Sequence, residues 1–120
     1  MKTKQILLAI LLSGLSGCIK REFDLPLSPS DFREKETTPE YVILQWNYQS
    51  DDIDGFHIDR QPEGESWEID YSGEIDKNTF EFKDSDVMPG YYTYKLYAKK
   101  GDIKSHELTV DVRIEQYPGL

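Results

Sequence analysis

Residues 41–48 read Tyr41-Val42-Ile43-Leu44-Gln45-Trp46-Asn47-Tyr48, and residues 90–98 read Gly90-Tyr91-Tyr92-Thr93-Tyr94-Lys95-Leu96-Tyr97-Ala98. Both stretches alternate with a period of two. Val42, Leu44, Trp46 and Tyr48 share one face, as do Tyr92, Tyr94, Leu96 and Ala98. Side chains on a strand point to opposite faces in turn, so this pattern makes strands with one face buried. The residue types agree, because β-branched and aromatic side chains pack well on a pleated surface.

The same period continues outward from these two runs. Phe56 and Ile58 flank His57, Trp67 and Ile69 flank Glu68, and Phe80 and Phe82 flank Glu81. Leu108, Val110, Val112 and Ile114 alternate with Thr109, Asp111 and Arg113. Turn-forming residues fall between the runs, at 50–55, 61–65, 72–78, 84–90 and 99–105. No stretch carries a helical apolar stripe three turns long. With a short first strand near Phe32, the body has about seven strands, a spacing that predicts an all-β sandwich.

Several of these runs match a known family in order and spacing. Val42-x-Leu44-x-Trp46 resembles strand B of the fibronectin type III domain, with its buried Trp. Asp54-Gly55-Phe56-x-Ile58-x-Arg60 resembles strand C, and Phe80-x-Phe82-x-Asp84 resembles strand E. Pro89-Gly90-x-Tyr92-x-Tyr94-x-Leu96-x-Ala98 resembles the E–F corner and strand F. The resemblance implies a seven-stranded immunoglobulin-like antiparallel β-sandwich over residues 31–115. It also implies structural roles for Trp46 in the core and for Tyr92, whose hydroxyl bonds the upstream backbone near Asp86–Met88.

The amino terminus has a different logic. Lys2 and Lys4 precede the apolar run Ile6–Leu12, and small residues follow. That order belongs to a secretory signal peptide, and the run is too short to span a bilayer, which needs about 20 residues. Leu15-Ser16-Gly17-Cys18 resembles the lipobox of bacterial lipoproteins. This implies cleavage after residue 17 and a lipid on the Cys18 thiol. The expected organisation is a signal peptide over 1–17, a lipidated cysteine and Pro-containing tether over 18–30, the sandwich over 31–115 and a tail over 116–120. The implied membrane partner is reached through this N-terminal lipid. Ile19 after the cysteine, where an inner-membrane retention signal would have Asp, favours the outer membrane.

Charge narrows the function further. The chain has 14 Lys and Arg against 23 Asp and Glu, for a net charge of -9. Removing Lys2 and Lys4 leaves 12 basic residues, so the mature chain stands at -11. Such a balance argues against nucleic acid, which is held by Lys and Arg on phosphates. A single cysteine excludes an internal disulfide framework.

Catalytic chemistry is poorly supplied. His57 and Asp59 sit two apart on one strand face and resemble two thirds of a triad, but no Gly-x-Ser-x-Gly elbow accompanies them. Alternation places them on a solvated sheet face. His106 has no such neighbour. Asp52-Ile53-Asp54-Gly55 resembles half of a calcium loop, with Gln61 where the full pattern needs Glu. The simpler reading is a turn in which Gly55 supplies a permissive φ. The chain is therefore read as non-enzymatic, with no cofactor and no metal.

Two candidate binding surfaces remain. In the implied fold the loop bearing Asp51, Asp52 and Asp54 shares one end of the sandwich with the loop bearing Lys99, Lys100, Asp102 and Lys104. Opposite charges meet there, either as exposed ion pairs or as a charged binding tip. Tyr91 and Tyr97 are expected to point outward, as anchors for a partner or as cross-strand packing. The reading is an envelope lipoprotein whose sandwich binds an unknown protein or glycan partner. The alternative is an accessory subunit that adds its last strand to a neighbour's sheet.

Overall fold

The computed structural model describes residues 25–118. The signal peptide and lipobox, including Leu15, Ser16, Gly17 and Cys18, lie outside the described residues. Among the described residues there are eight strands: β1 (Ser30–Thr38), β2 (Tyr41–Asn47), β3 (Gly55–Pro62), β4 (Ile75–Asp76), β5 (Glu81–Asp84), β6 (Gly90–Lys100), β7 (Ile103–Lys104) and β8 (Leu108–Ile114). All pair antiparallel, in two sheets. One sheet has the order β1-β2-β5. The other runs β4-β3-β6-β7, with β8 also on β6. β7 and β8 pair with the same edge of β6 and are two parts of one edge strand, interrupted at residues 105–107. Counted this way there are seven strand positions, in agreement with the sequence.

The core lies between the sheets where the alternation puts it. Val42, Leu44 and Trp46 from β2 meet Phe56 and Ile58 from β3 and Tyr94, Leu96 and Ala98 from β6, all buried. Phe56 is the centre of an aromatic group. Its ring lies 5.3 Å from Trp46, 5.0 Å from Tyr48 and 6.1 Å from Phe80, each edge to face. Edge-to-face contacts set a positive ring edge against a negative ring face and add to what burial alone contributes.

Two expectations are corrected. Trp67–Ile69 is not a strand; the segment makes one antiparallel bridge, Arg60 to Glu68. The fourth strand is instead the two-residue β4. The Glu68 side chain is drawn to Arg60, the Trp67 ring lies under Lys95 Nζ at 4.1 Å, and Ile69 is left exposed. Local alternation was overridden by these polar contacts. Gly55, in turn, does not have a positive φ. It is required because a Cβ there would come within 2.5 Å of the Ile75 carbonyl oxygen, where β4 crosses close to β3.

Candidate functional site

At one end of the sandwich the two charged loops meet. Lys100 Nζ lies 2.7 Å from Asp52 Oδ1. The Gly101 amide donates to Asp54 Oδ2 at 2.7 Å, and the Asp54 amide donates to the Lys99 carbonyl at 2.8 Å. Gly101 turns the chain with φ 58°, in the left-handed region that glycine tolerates without strain. Ile53 points inward and is buried, pinning the loop between its acids. Asp51, Asp52, Asp54, Lys100 and Asp102 thus share one tip. Lys104 does not join it: its ammonium lies 3.4 Å from Glu107 and 4.4 Å from the Tyr97 ring centroid, on the sheet face. Among the described residues, no group of three or more His, Cys, Asp or Glu side chains is placed to hold a metal ion.

The segment before β1 lies against this tip. Tyr48 donates its hydroxyl to the Leu27 carbonyl at 2.8 Å, and Ser28 Oγ reaches the His106 carbonyl at 3.4 Å. An open groove of about 700 Å³ lies beside it, lined by Leu25, Leu27, Asp52, Asp54, Lys100 and Ile103 among others. Residues 25–29, read as tether, are therefore applied to the domain.

The outer face of the β3–β6 sheet differs from the expectation. His57 and Asp59 point away from the core, as alternation requires, yet both are buried, at 7% and 2% exposure. The chain after β3 doubles back and covers them. His57 Nδ1 lies 2.6 Å from Asp70 Oδ1, and its ring stacks on Tyr97 with 5.7 Å between centroids. Asp59 Oδ1 accepts from the Asp70 amide at 2.8 Å and from the Tyr97 hydroxyl at 3.2 Å. Burial, and then the nearby Asp59 charge, push the Tyr97 phenol well above its ordinary range. Tyr97 is thus no exposed anchor; at 4% exposure it is part of a sealed face. The nearby hydroxyl, Ser72 Oγ, accepts from the Ile58 amide and donates to the Gly73 carbonyl. No nucleophile–base pair forms here. His106 is exposed.

At the opposite end lies a polar cluster. Arg60 is buried and donates to Asp84 Oδ2 at 2.9 Å, to the Asp86 carbonyl at 2.6 Å and to Glu68. Tyr94 and Tyr71 donate to the two Asp84 oxygens at 2.6 and 2.7 Å, and the Asp86 amide donates at 3.0 Å. The Tyr71 ring lies 4.1 Å from the guanidinium carbon. Burial alone would raise the Asp84 pKa, but hydrogen bonds from Tyr94, Tyr71, the Asp86 amide and Arg60 outweigh it and hold the carboxyl below its usual range. Burial and the Asp84 acceptor push the Tyr71 and Tyr94 phenols up. Burial opposes the Arg60 charge, and Glu68 and Asp84 more than offset it.

This cluster was not singled out from the sequence, although a signal exists. Arg60 continues the inward series Phe56-Ile58-Arg60, and Asp84 continues Phe80-Phe82-Asp84. Opposite charges at two inward positions imply a buried pair. Beside the cluster, Tyr92 accepts a hydrogen bond at its hydroxyl from the Met88 amide at 2.9 Å, within the backbone stretch expected for it. Tyr91 points outward and is 52% exposed, with Arg113 Cζ 5.8 Å from its ring centroid.

No protein-family model matches the sequence, and no curated protein matches it. Solved structures do. The FN1–FN3 domains of chicken CNTN1 superpose with a TM-score of 0.63 at 21% identity, over 78% of this chain and 34% of that one. The fold is that of a fibronectin type III domain. A redesigned β-sandwich protein gives a TM-score of 0.66 at 11% identity, over 80% of this chain and 97% of that one. A myokine gives 0.59 at 15% identity, over 76% and 99%. The chain spans about a third of the CNTN1 fragment, and identities this low speak to the fold alone.

Proposed function

We propose that this protein is a bacterial envelope lipoprotein, anchored through lipid on Cys18, whose fibronectin-like sandwich is a non-catalytic binding module for a protein or glycan. Fibronectin-type sandwiches commonly serve as interaction modules, and loops on such a rigid scaffold commonly carry recognition. The observation that carries the anchoring is the chain's one cysteine, set directly behind Leu15-Ser16-Gly17 and the Ile6–Leu12 run. Two or three acyl chains hold a protein stably on a membrane, where one holds it marginally. Support for a non-catalytic role comes from the body itself. Its inward positions are filled by packing, and its His, Asp and Ser side chains near the sheet face are engaged with one another and with backbone.

Mass spectrometry of the chain purified from bacterial membranes tests the anchor. The expected result is an N-terminal fragment that begins at Cys18 and carries acyl mass. A Cys18→Ala chain should leave the membrane fraction. An unmodified Cys18 in a membrane-free protein would refute the reading. Protease shaving of intact cells then decides which face of the outer membrane bears the domain.

The second reading, an accessory subunit of an envelope complex, is favoured by one feature. β8 hydrogen-bonds to β6 along one edge, and β1 is its neighbour in space without being paired to it. A stoichiometric envelope partner recovered in detergent, and lost when Thr109→Pro interrupts that edge, would support it.

A further inference from the structure

We infer that the tip formed by the β2–β3 loop and the β6–β7 turn faces the membrane and rests on the lipid head-group surface. The opposite end, around Tyr91, is then the one turned toward partners. The inference rests on the reading of Cys18 as the lipid-bearing residue and concerns how the anchored domain is mounted.

Chain length sets the limit. Six residues, 19–24, separate Cys18 from Leu25, a span of seven Cα-to-Cα steps. At ~3.3–3.6 Å per step that span reaches about 25 Å when fully extended. Residues 25–29 add nothing to that reach, because the Tyr48 hydroxyl donates to the Leu27 carbonyl and holds them to the tip, and Ser28 lies beside the His106 carbonyl. Had all of residues 19–29 been free, the domain would turn on a longer leash with no preferred face. As it is, the chain enters the domain at the tip.

The surface chemistry agrees. Leu25, Leu27 and Ile103 expose 42%, 52% and 36% of their surface at this end, side by side along the groove. Apolar side chains of this kind insert favourably at a head-group boundary. Of the acids of the tip, Asp52 is matched by Lys100, and Lys77 Nζ donates to the Asp51 backbone carbonyl at 3.1 Å. β6 runs from Gly90 to Lys100, and at ~3.3 Å per residue its 11 residues place Tyr91 roughly 30 Å beyond the tip. There Tyr91 stands exposed between two shallow grooves of about 400 Å³ each, with Glu63, Glu65 and Asp111 around one of them and Arg113 and Glu115 around the other.

The test uses the full chain made in bacteria, purified from membranes with its Cys18 acyl mass confirmed, and reconstituted in phosphatidylcholine vesicles with head-group quencher lipids. A fluorophore is attached at Asp102→Cys, at Ser50→Cys as a second tip position, and at Glu65→Cys at the far end. Because Cys18 is alkylated by lipid, only the introduced thiol reacts. Quenching at positions 102 and 50 should exceed that at 65 several-fold. Equal quenching at the two ends, stronger quenching at 65, or a tip shielded from quencher by a bound protein would overturn the orientation while leaving the anchor intact. A Cys18 without acyl mass would remove the anchor, and this inference with it.

Discussion

Lys100 meets Asp52 at 2.7 Å at one end of the sandwich, and Arg60 meets Asp84 at 2.9 Å at the other. The distances are nearly the same and the surroundings are not. The tip pair is open to water, with side-chain exposures of 53% and 76%. The corner pair is at 7% and 1%, and Asp84 is ringed by Tyr71, Tyr94 and the Asp86 amide as well. Proximity of opposite charges therefore says little about stability here. What matters is how much water each group has given up and how completely its remaining hydrogen-bonding capacity is met.

The comparison breaks most sharply at Asp84. Replacing it with Ala removes the acceptor of the buried Tyr94 and of Tyr71 and one acceptor of Arg60, which keeps Glu68 and the Asp86 carbonyl. The loss should be about 3–5 kcal/mol, a large share of a small domain's total, read from urea unfolding of the Cys18→Ala chain. A loss below about 1 kcal/mol would mean the corner behaves like a surface pair. Next comes Tyr94→Phe, which keeps the ring and removes one hydrogen bond to a charged group; a loss of about 1.5–3 kcal/mol is expected in the same assay.

Alkaline and acid titrations sharpen the contrast. Tyr71, Tyr94 and Tyr97 have folded pKa values raised above the unfolded value, so the stability they contribute is complete below about pH 10 and falls as pH rises past it. Phenols that keep their protons longer in the folded state imply that unfolding above that pH releases protons. Tyr97→Phe should reduce the number released. Asp84 has the opposite sign. Its folded pKa is depressed, so its contribution is present above about pH 4 and is lost as pH falls through the folded value. Asp84→Asn should flatten that acid limb, and an unchanged limb would assign it to other carboxylates.

The contrast between the ends also explains what the sequence could and could not disclose. The core was legible because burial of Val42, Leu44, Trp46 and their partners follows strand alternation, a rule that acts residue by residue. The Tyr92 corner and the meeting of Asp52 with Lys100 followed once the strand order was known. The covered outer face was not legible. Whether His57 and Tyr97 see water depends on where residues 63–74 travel, and that path is fixed by contacts such as Asp70 with Asp59 that join positions 11 apart. Trp67–Ile69 misled for the same reason: its alternation was real, but Arg60 competed for Glu68. Arg60 and Asp84 are legible in principle, as opposite charges that end the inward series Phe56-Ile58-Arg60 and Phe80-Phe82-Asp84.

The smallest effect belongs to the tip. Asp52→Asn removes a carboxylate whose neighbours remain solvated, so the expected loss is about 0–1 kcal/mol. Its signature is dependence on salt: exposed charges are screened over about 10 Å at 0.1 M and about 3 Å at 1 M, so any loss should shrink as salt is added. The backbone side of the tip is held separately, by the Gly101 amide on Asp54, and should survive the substitution. Urea unfolding of Asp52→Asn at low and high salt, beside Asp84→Asn under the same conditions, reads the difference directly. The tip variant should converge on the parent in high salt and the corner variant should not, because Asp84 is shielded from ions by the same tyrosines that bind it. If the tip variant instead cost several kcal/mol regardless of salt, the Lys100–Asp52 pair would have to be part of a rigid, desolvated surface, and the case for a tip that rests on head groups through Leu25, Leu27 and Ile103 would weaken accordingly.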